Sequence, residues 1–206
     1  MLDLEFDARL QREAGGTLAG CDEAGRGPLA GAVFAAAVVL PEGAAIGGLD
    51  DSKKLSEKKR EALFDEICRS AADFCIARAE VAEIERINIL EASLLAMRRA
   101  CAGLKRMPAL LLVDGPVARG FSCPTRAVIG GDGTSACIAA ASILAKVARD
   151  RYCAALDALY PQYGFRQHKG YGTRRHREAI LRFGPCPAHR MSFLKKLLGQ
   201  QRPGAT

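Results

Sequence analysis

The chain has 206 residues, 49% of them apolar, with no Trp and a net charge of +7. That length and composition suit one domain, or one domain with a small appendage, with enough apolar residues for a full core. No apolar run reaches membrane length and no cleavable signal pattern is visible, so a cytoplasmic protein with no membrane partner is expected. The eight cysteines form no C-x-x-C pair and several sit in apolar stretches, so they read as buried thiols of a reducing compartment. The three histidines have no matching cysteine spacing, which argues against zinc. Charge is unevenly spread: residues 1–139 carry 17 Lys/Arg against 20 Asp/Glu, whereas 140–206 carry 13 against 3. The basic excess at one end points to a polyanionic partner on the C-terminal side.

In chain order, Met1–Arg12 reads as a short amphipathic helix. Thr17–Asp22 and Leu29–Leu40 form an expected hairpin whose second strand, apolar on both faces, should lie inside a sheet. Between them stands Gly20-Cys21-Asp22-Glu23-Ala24-Gly25-Arg26-Gly27-Pro28, two adjacent carboxylates followed by a glycine-rich turn. After a loop from Pro41 to Gly48, the polar turn Asp51-Ser52-Lys53-Lys54-Leu55 leads to a helix capped by Ser56 and running to about Ala71. A strand is expected at Phe74–Val81, and a long helix from Ala82 to Leu104 with an apolar stripe at helical spacing. Leu110–Val113 is a buried strand ending at Asp114, and Thr125–Ile129 a short strand ending at Gly130-Gly131-Asp132-Gly133. Thr134–Tyr160 is an Ala-rich helix stopped by Pro161. The segment 161–198 carries two short helices and most of the basic charge, and a disordered tail follows from Gly199.

Asp22, Glu23, Asp114 and Asp132 each directly follow an apolar run or a glycine pair. If their strands are neighbours, the four meet at one sheet edge, where α/β folds place their sites. A single such acid reads as a turn or cap residue; four of them, without Cys or His, make a hard oxygen site suited to Mg²⁺ or Mn²⁺. Neighbouring strand residues point to opposite faces, so Asp22 and Glu23 can share a cation only if the chain bends between them. Gly20 and Gly25 have the spacing of a phosphate-binding loop, but Arg26-Gly27 stands where Lys-Ser/Thr belongs and two acids would repel a triphosphate. Gly25-Arg26-Gly27 instead lets backbone N–H groups approach a sugar-phosphate chain, with Arg26 on a phosphate. Lys53, and His168-Lys169 with Tyr171 in His168-Lys169-Gly170-Tyr171-Gly172-Thr173, add cations and a ring able to stack on a base or sugar. Ser142 and Lys146 lie one turn apart on the Ala-rich helix; Ser142 reads as packing, and Lys146 stays open between surface and site.

Gly20–Gly31 resembles the opening motif of the type 2 ribonuclease H family. The later stretches Asp51–Ser56, Asn88-Ile89, Val113–Gly115, Ala139–Val147 with Arg149-Asp150-Arg151, and His168–Thr173 follow in the family's order, over residues 17–193. The resemblance implies a ribonuclease H-like α/β fold: a mixed sheet flanked by helices over residues 1–160, with a basic helical segment, 161–198, closing on the substrate groove. It implies cleavage of the RNA strand of RNA–DNA hybrids, and incision beside single ribonucleotides in duplex DNA. The products would carry 3′-OH and 5′-phosphate ends after two-metal hydrolysis. Asp22, Glu23, Asp114 and Asp132 then hold the metal, Gly25-Arg26-Gly27 is similar to the loop that reads the ribose 2′-OH, and Tyr171 resembles the tyrosine that stacks on the next deoxyribose. The chain departs from the family in having Gly130-Gly131-Asp132 where Lys-Gly-Asp is common, leaving Asp150 as competitor for the fourth carboxylate, and Glu85 where the family has Asp. A monomer is expected. A nucleic-acid-binding protein without catalysis, or a phosphohydrolase of small esters, are the readings that ignore this order.

Overall fold

A computed structural model describes residues 4–41, 43–44, 46–49, 52 and 55–199. Five strands, β1 (Leu18–Ala24), β2 (Val33–Val39), β3 (Asp73–Ala79), β4 (Leu110–Asp114) and β5 (Thr125–Val128), form one mixed sheet in the order β3-β2-β1-β4-β5. β1 pairs antiparallel with β2 and parallel with β4, and β5 runs parallel to β4. The expected hairpin is present. Its second strand is shorter than Leu29–Leu40, because residues 29–31 leave the sheet and bond instead to the C-terminal segment. Among the described residues no helix is long and apolar enough to cross a membrane.

The period-2 pattern of β1 assigns its two faces. Leu18 belongs to a core shared with Ala140, Ile143 and Leu144, whereas Ala19 and Cys21 pack with Leu94, Met97 and Cys101. The first face is covered by α4 (Ala136–Leu159), the second by α3 (Val81–Ala102). Helix α4 sits unusually close at Gly20: a Cβ there would lie 2.2 Å from the carbonyl carbon of Cys137. The start of α4 is held by Ser135, whose Oγ accepts from Ile138 N–H, and by Asp7 of α1 (Leu4–Ala14), which accepts from Cys137 N–H at 2.9 Å. Such contacts satisfy amides that a helix start leaves without partners.

Helix α3 is not continuous. Asn88 takes φ 67°, ψ 169°, and its side-chain oxygen accepts from the N–H groups of Leu90 and Glu91. Asn88 therefore ends one helical segment and caps the next, in a backbone region that residues with a Cβ rarely adopt, held there by these two hydrogen bonds. Glu85, just before this break, accepts from both the N–H and the hydroxyl of Ser192. That ties α3 to α7 (Met191–Gly199), while α2 (Glu57–Ser70) starts at the expected cap, Ser56, whose side chain accepts from Lys59 N–H.

The segment after Pro161 contains three helices, one more than expected: α5 (Phe165–His168), α6 (Arg174–Phe183) and α7. It has its own small core of Tyr163, Phe165, Ile180 and Leu194. His168, His176 and His189 are all buried there; the rings of His168 and His176 stack with centroids 4.3 Å apart. Burial pushes His176 down to about 4 and lowers His189, favouring the neutral form of both rings. All eight cysteines are free thiols. The expected tail lies outside the described residues from position 200, as do residues 1–3 of the first helix.

Candidate active site

The strand register brings the acids together. Cys21 pairs with Val113 across the parallel β1–β4 contact, so Asp22 and Asp114 follow side by side at the ends of neighbouring strands. By alternation both belong to the α4 face, and Glu23 to the α3 face. Asp22, Glu23 and Asp114 line a cleft of about 260 Å³ together with Gly25, Arg26, Gly27, Ser52, Ser142, Lys146, Arg149 and Tyr171. Glu23, Arg26 and Asp114 also line a second hollow against Leu90, Ser93 and Met97 of α3. The expected bend between Asp22 and Glu23 is not there: β1 keeps regular pairing through Ala24 opposite Phe34. The two acids reach one site because it straddles the sheet edge, with Asp114 facing both hollows.

Two of these carboxylates, Asp22 and Glu23, resist ionisation. Burial raises the pKa of Asp22 well above its ordinary value, and the charges of Glu23 and Asp114 raise it further. Hydrogen bonds from Ser142 and from the N–H of Glu23, the latter at 2.7 Å to Oδ1, pull the other way without cancelling the rise. Glu23 is also raised by burial, opposed by Arg26, whose Nη1 donates to Oε1 at 3.3 Å, and pushed up again by Asp114. Asp114 Oδ1 accepts from Gly131 N–H at 2.7 Å. Among the described residues no three Asp, Glu, His or Cys side chains converge tightly enough to hold a metal ion unaided.

Asp132 lies in a single turn of 3-10 helix (Gly131–Gly133) between β5 and α4, buried at 7% exposure. It stands next to Gly131, which donates to Asp114, and is not one of the residues lining the cleft. Asp150 is ion-paired, but not with Arg149 or Arg151 beside it in sequence. Its partner is Lys146, one turn earlier, with Nζ 2.5 and 2.7 Å from the carboxylate oxygens. Arg151 pairs with Glu61, and Arg149 is turned inward.

The basic loop divides. Tyr171 is half-exposed on the cleft wall. His168 is not in the cleft: its ring is buried, with Nε2 2.7 Å from the carbonyl oxygen of Tyr163 and Nδ1 accepting from Gly170 N–H. Lys169 reaches Glu57 at 3.5 Å rather than the cleft, and contributes its carbonyl to Arg149. His168 and Lys169 thus lie on the loop that carries Tyr171 but are not among the residues lining the cleft. Lys53, with Asp51 and Lys54, lies outside the described residues; Ser52 from that turn is buried, its hydroxyl 2.9 Å from that of Ser142. Ser142, read from sequence as packing, is a hydrogen-bond partner of Asp22. Its spacing of four from Lys146 was the available signal. Arg149, which the sequence marks only as part of a family stretch, and Arg190, which it does not mark, are both buried under the Gly25–Ala32 loop.

The family model described as Ribonuclease HII matches residues 19–196. Ribonuclease HII of Albidiferax ferrireducens is 56% identical over 186 residues, covering 90% of each chain. Ribonuclease HII of Shewanella oneidensis is 54% identical over 192 residues, covering 91% of this chain and 92% of its own. The crystal structure of ribonuclease H2 from Pyrococcus horikoshii superposes with a TM-score of 0.72 at 26% identity, over 91% of this chain and all of that one. An edge-of-sheet carboxylate site in a five-stranded mixed sheet, together with this breadth of match, shows that the chain belongs to the ribonuclease HII family, metal-dependent hydrolases that cleave the RNA strand of RNA–DNA hybrids.

Proposed function

We propose that the cleft over Asp22, Glu23 and Asp114 also incises duplex DNA beside single embedded ribonucleotides, with Asp132 as the fourth carboxylate, leaving 3′-OH and 5′-phosphate ends. The observation that carries the reading is that Asp22, Glu23 and Asp114, from two neighbouring strands, line one cleft, where burial raises the pKa of both Asp22 and Glu23. The donor set is all oxygen, which fits Mg²⁺ or Mn²⁺. Such ions, when bound, activate water and neutralise charge on the departing 3′ oxygen.

The chain's own residues do the rest. Ser142 and the N–H of Glu23 keep Asp22 oriented, and Arg26 favours the ionised form of Glu23. Gly27 supports close approach of a ligand. A Cβ there would make only an ordinary contact, 3.5 Å from Tyr171, so nothing inside the protein demands glycine at that position. Opposite it, the exposed ring of Tyr171 offers a platform for a sugar. The 2′-OH is read for identity, since it is what separates RNA from DNA, and is not the nucleophile.

The test is a DNA duplex containing one ribonucleotide, incubated with and without Mn²⁺ or Mg²⁺, with both ends of the cut mapped. Metal-dependent incision beside the ribonucleotide with a 3′-OH terminus is expected. A 2′,3′-cyclic phosphate, or cleavage of long hybrids with the embedded ribonucleotide left intact, would overturn the reading.

A further inference from the structure

Arg190 is fully buried, and among the described residues its guanidinium donates to backbone carbonyls and forms no ion pair with a carboxylate. Nη2 donates to the carbonyl of Gly25 at 2.7 Å, Nη1 to those of Arg26 and Pro28, each at 2.9 Å, and Nε to Gly31 at 2.9 Å. Burying a cation on neutral acceptors is costly, and desolvation pushes this group down to about 9, with the neighbouring charge of Arg149 adding to the fall. A plain anchor for the segment would need only an apolar side chain, of which the adjoining core has many. What an arginine adds is direction: its planar fork fixes several carbonyls at once.

That direction has a consequence at the cleft. Across a trans peptide the C=O and the following N–H point oppositely. Holding the carbonyls of Gly25 and Arg26 inward therefore turns the N–H groups of Arg26 and Gly27 outward. Among the described residues neither N–H has a backbone acceptor within the protein, and both residues line the cleft beside Asp22 and Tyr171. Farther along, the alternate groups are already used: Leu29 N–H donates to Gly170 and Gly31 N–H to Ala188. Arg149 completes the clasp, donating to the carbonyls of Ala30, Ala32 and Lys169. Its Nε would stand 2.0 Å from a Cβ at Gly25, where φ is +106°.

We infer that Arg190 is a positioning residue for sugar recognition: from behind the Gly25–Gly31 loop it aims two free backbone amides at the ribose, so the C-terminal segment sets discrimination between ribose and deoxyribose without touching either. This rests on the proposed reading of the sugar by Gly25-Arg26-Gly27. Lysine, a single point donor, cannot hold four carbonyls, so Arg190→Lys keeps the charge and loses the aim.

The measurement is the affinity of wild type and Arg190→Lys for two duplexes, one all-DNA and one with a single ribonucleotide, in Ca²⁺ to hold off turnover, alongside kcat and KM in Mn²⁺. Wild type is expected to prefer the ribonucleotide duplex. In folded Arg190→Lys that preference should fall towards one while affinity for plain DNA stays unchanged, and kcat/KM should drop about 10²-fold. A purely structural role would leave the ratio of the two affinities where it was. If Arg190→Lys does not fold, Phe193→Leu removes only the ring 5.3 Å from the guanidinium and should give a smaller loss of the same preference. A wild-type preference that survives in the folded variants sinks the clasp alone; no preference in wild type sinks the reading of the loop itself.

Discussion

Asp22→Asn is expected to lower hybrid cleavage by at least about 10³-fold while raising the thermal stability of the metal-free protein. The two effects have one cause. Asp22 is 5% exposed and shares its strand end with Glu23 and Asp114, so its charge is costly to the bare fold and is there for the ligand. The sign of the pH dependence follows. A carboxyl whose folded pKa lies above its unfolded value of 3.8 favours folding most when protonated. Its contribution is complete below the unfolded pKa and is lost as pH rises through the folded one. Metal-free wild type should therefore lose stability on going from acid to neutral pH, and Asp22→Asn should lose less. Melting curves at several pH values, with and without chelator, make the comparison. A destabilised Asn variant, or one that still turned over hybrid, would show that Asp22 serves the fold and not the reaction.

Gly20→Ala should produce the largest loss of stability of any single methyl addition near the site. Its Cβ would meet backbone, lying 2.2 Å from the carbonyl carbon of Cys137, 2.3 Å from the nitrogen of Ile138 and 2.6 Å from the oxygen of Cys137. Backbone cannot rotate away as a side chain can, so α4 must shift off β1. Overpacking of this kind costs about 1–3 kcal/mol and occasionally more, a large part of the roughly 5–15 kcal/mol that holds a domain together. The same shift would move Ser142 relative to Asp22, so activity should fall about 10²-fold in whatever fraction remains folded. Denaturant titration with circular dichroism, followed by specific activity of the folded fraction, separates the two losses. Wild-type stability in Gly20→Ala would mean that α4 is not seated on β1 as described.

Much of this was legible from the sequence, for physical reasons that differ by element. Strands β1, β2 and β4 announce themselves because both faces are covered, leaving unbroken apolar runs. The acids at their ends are conspicuous because a run of that kind has no other reason to stop on a carboxylate. What escaped depends on contacts between residues far apart. The break at Asn88 is set by one side chain capping its own helix, inside an otherwise periodic stretch. Ser142 looked like packing because nothing on an Ala-rich helix tells which strand end lies across from it. Asp150 stands in sequence between two arginines, yet the helix pairs it with Lys146 four residues back, the spacing at which side chains meet. Arg149 and Arg190 bind carbonyls, which every residue has, so no complementary residue type in the sequence could mark them.

The most direct test is Mn²⁺ binding followed by electron paramagnetic resonance, in wild type and in Asp114→Asn, each with and without a ribonucleotide-containing duplex. Asp114 reaches the site from a different strand than Asp22 and Glu23, so only a shared site makes all three matter to one ion. Wild type should bind Mn²⁺ more tightly once the duplex is present, and Asp114→Asn should weaken that binding by at least about tenfold. Binding by Asp114→Asn equal to that of wild type would mean that the carboxylates do not act on a common cation.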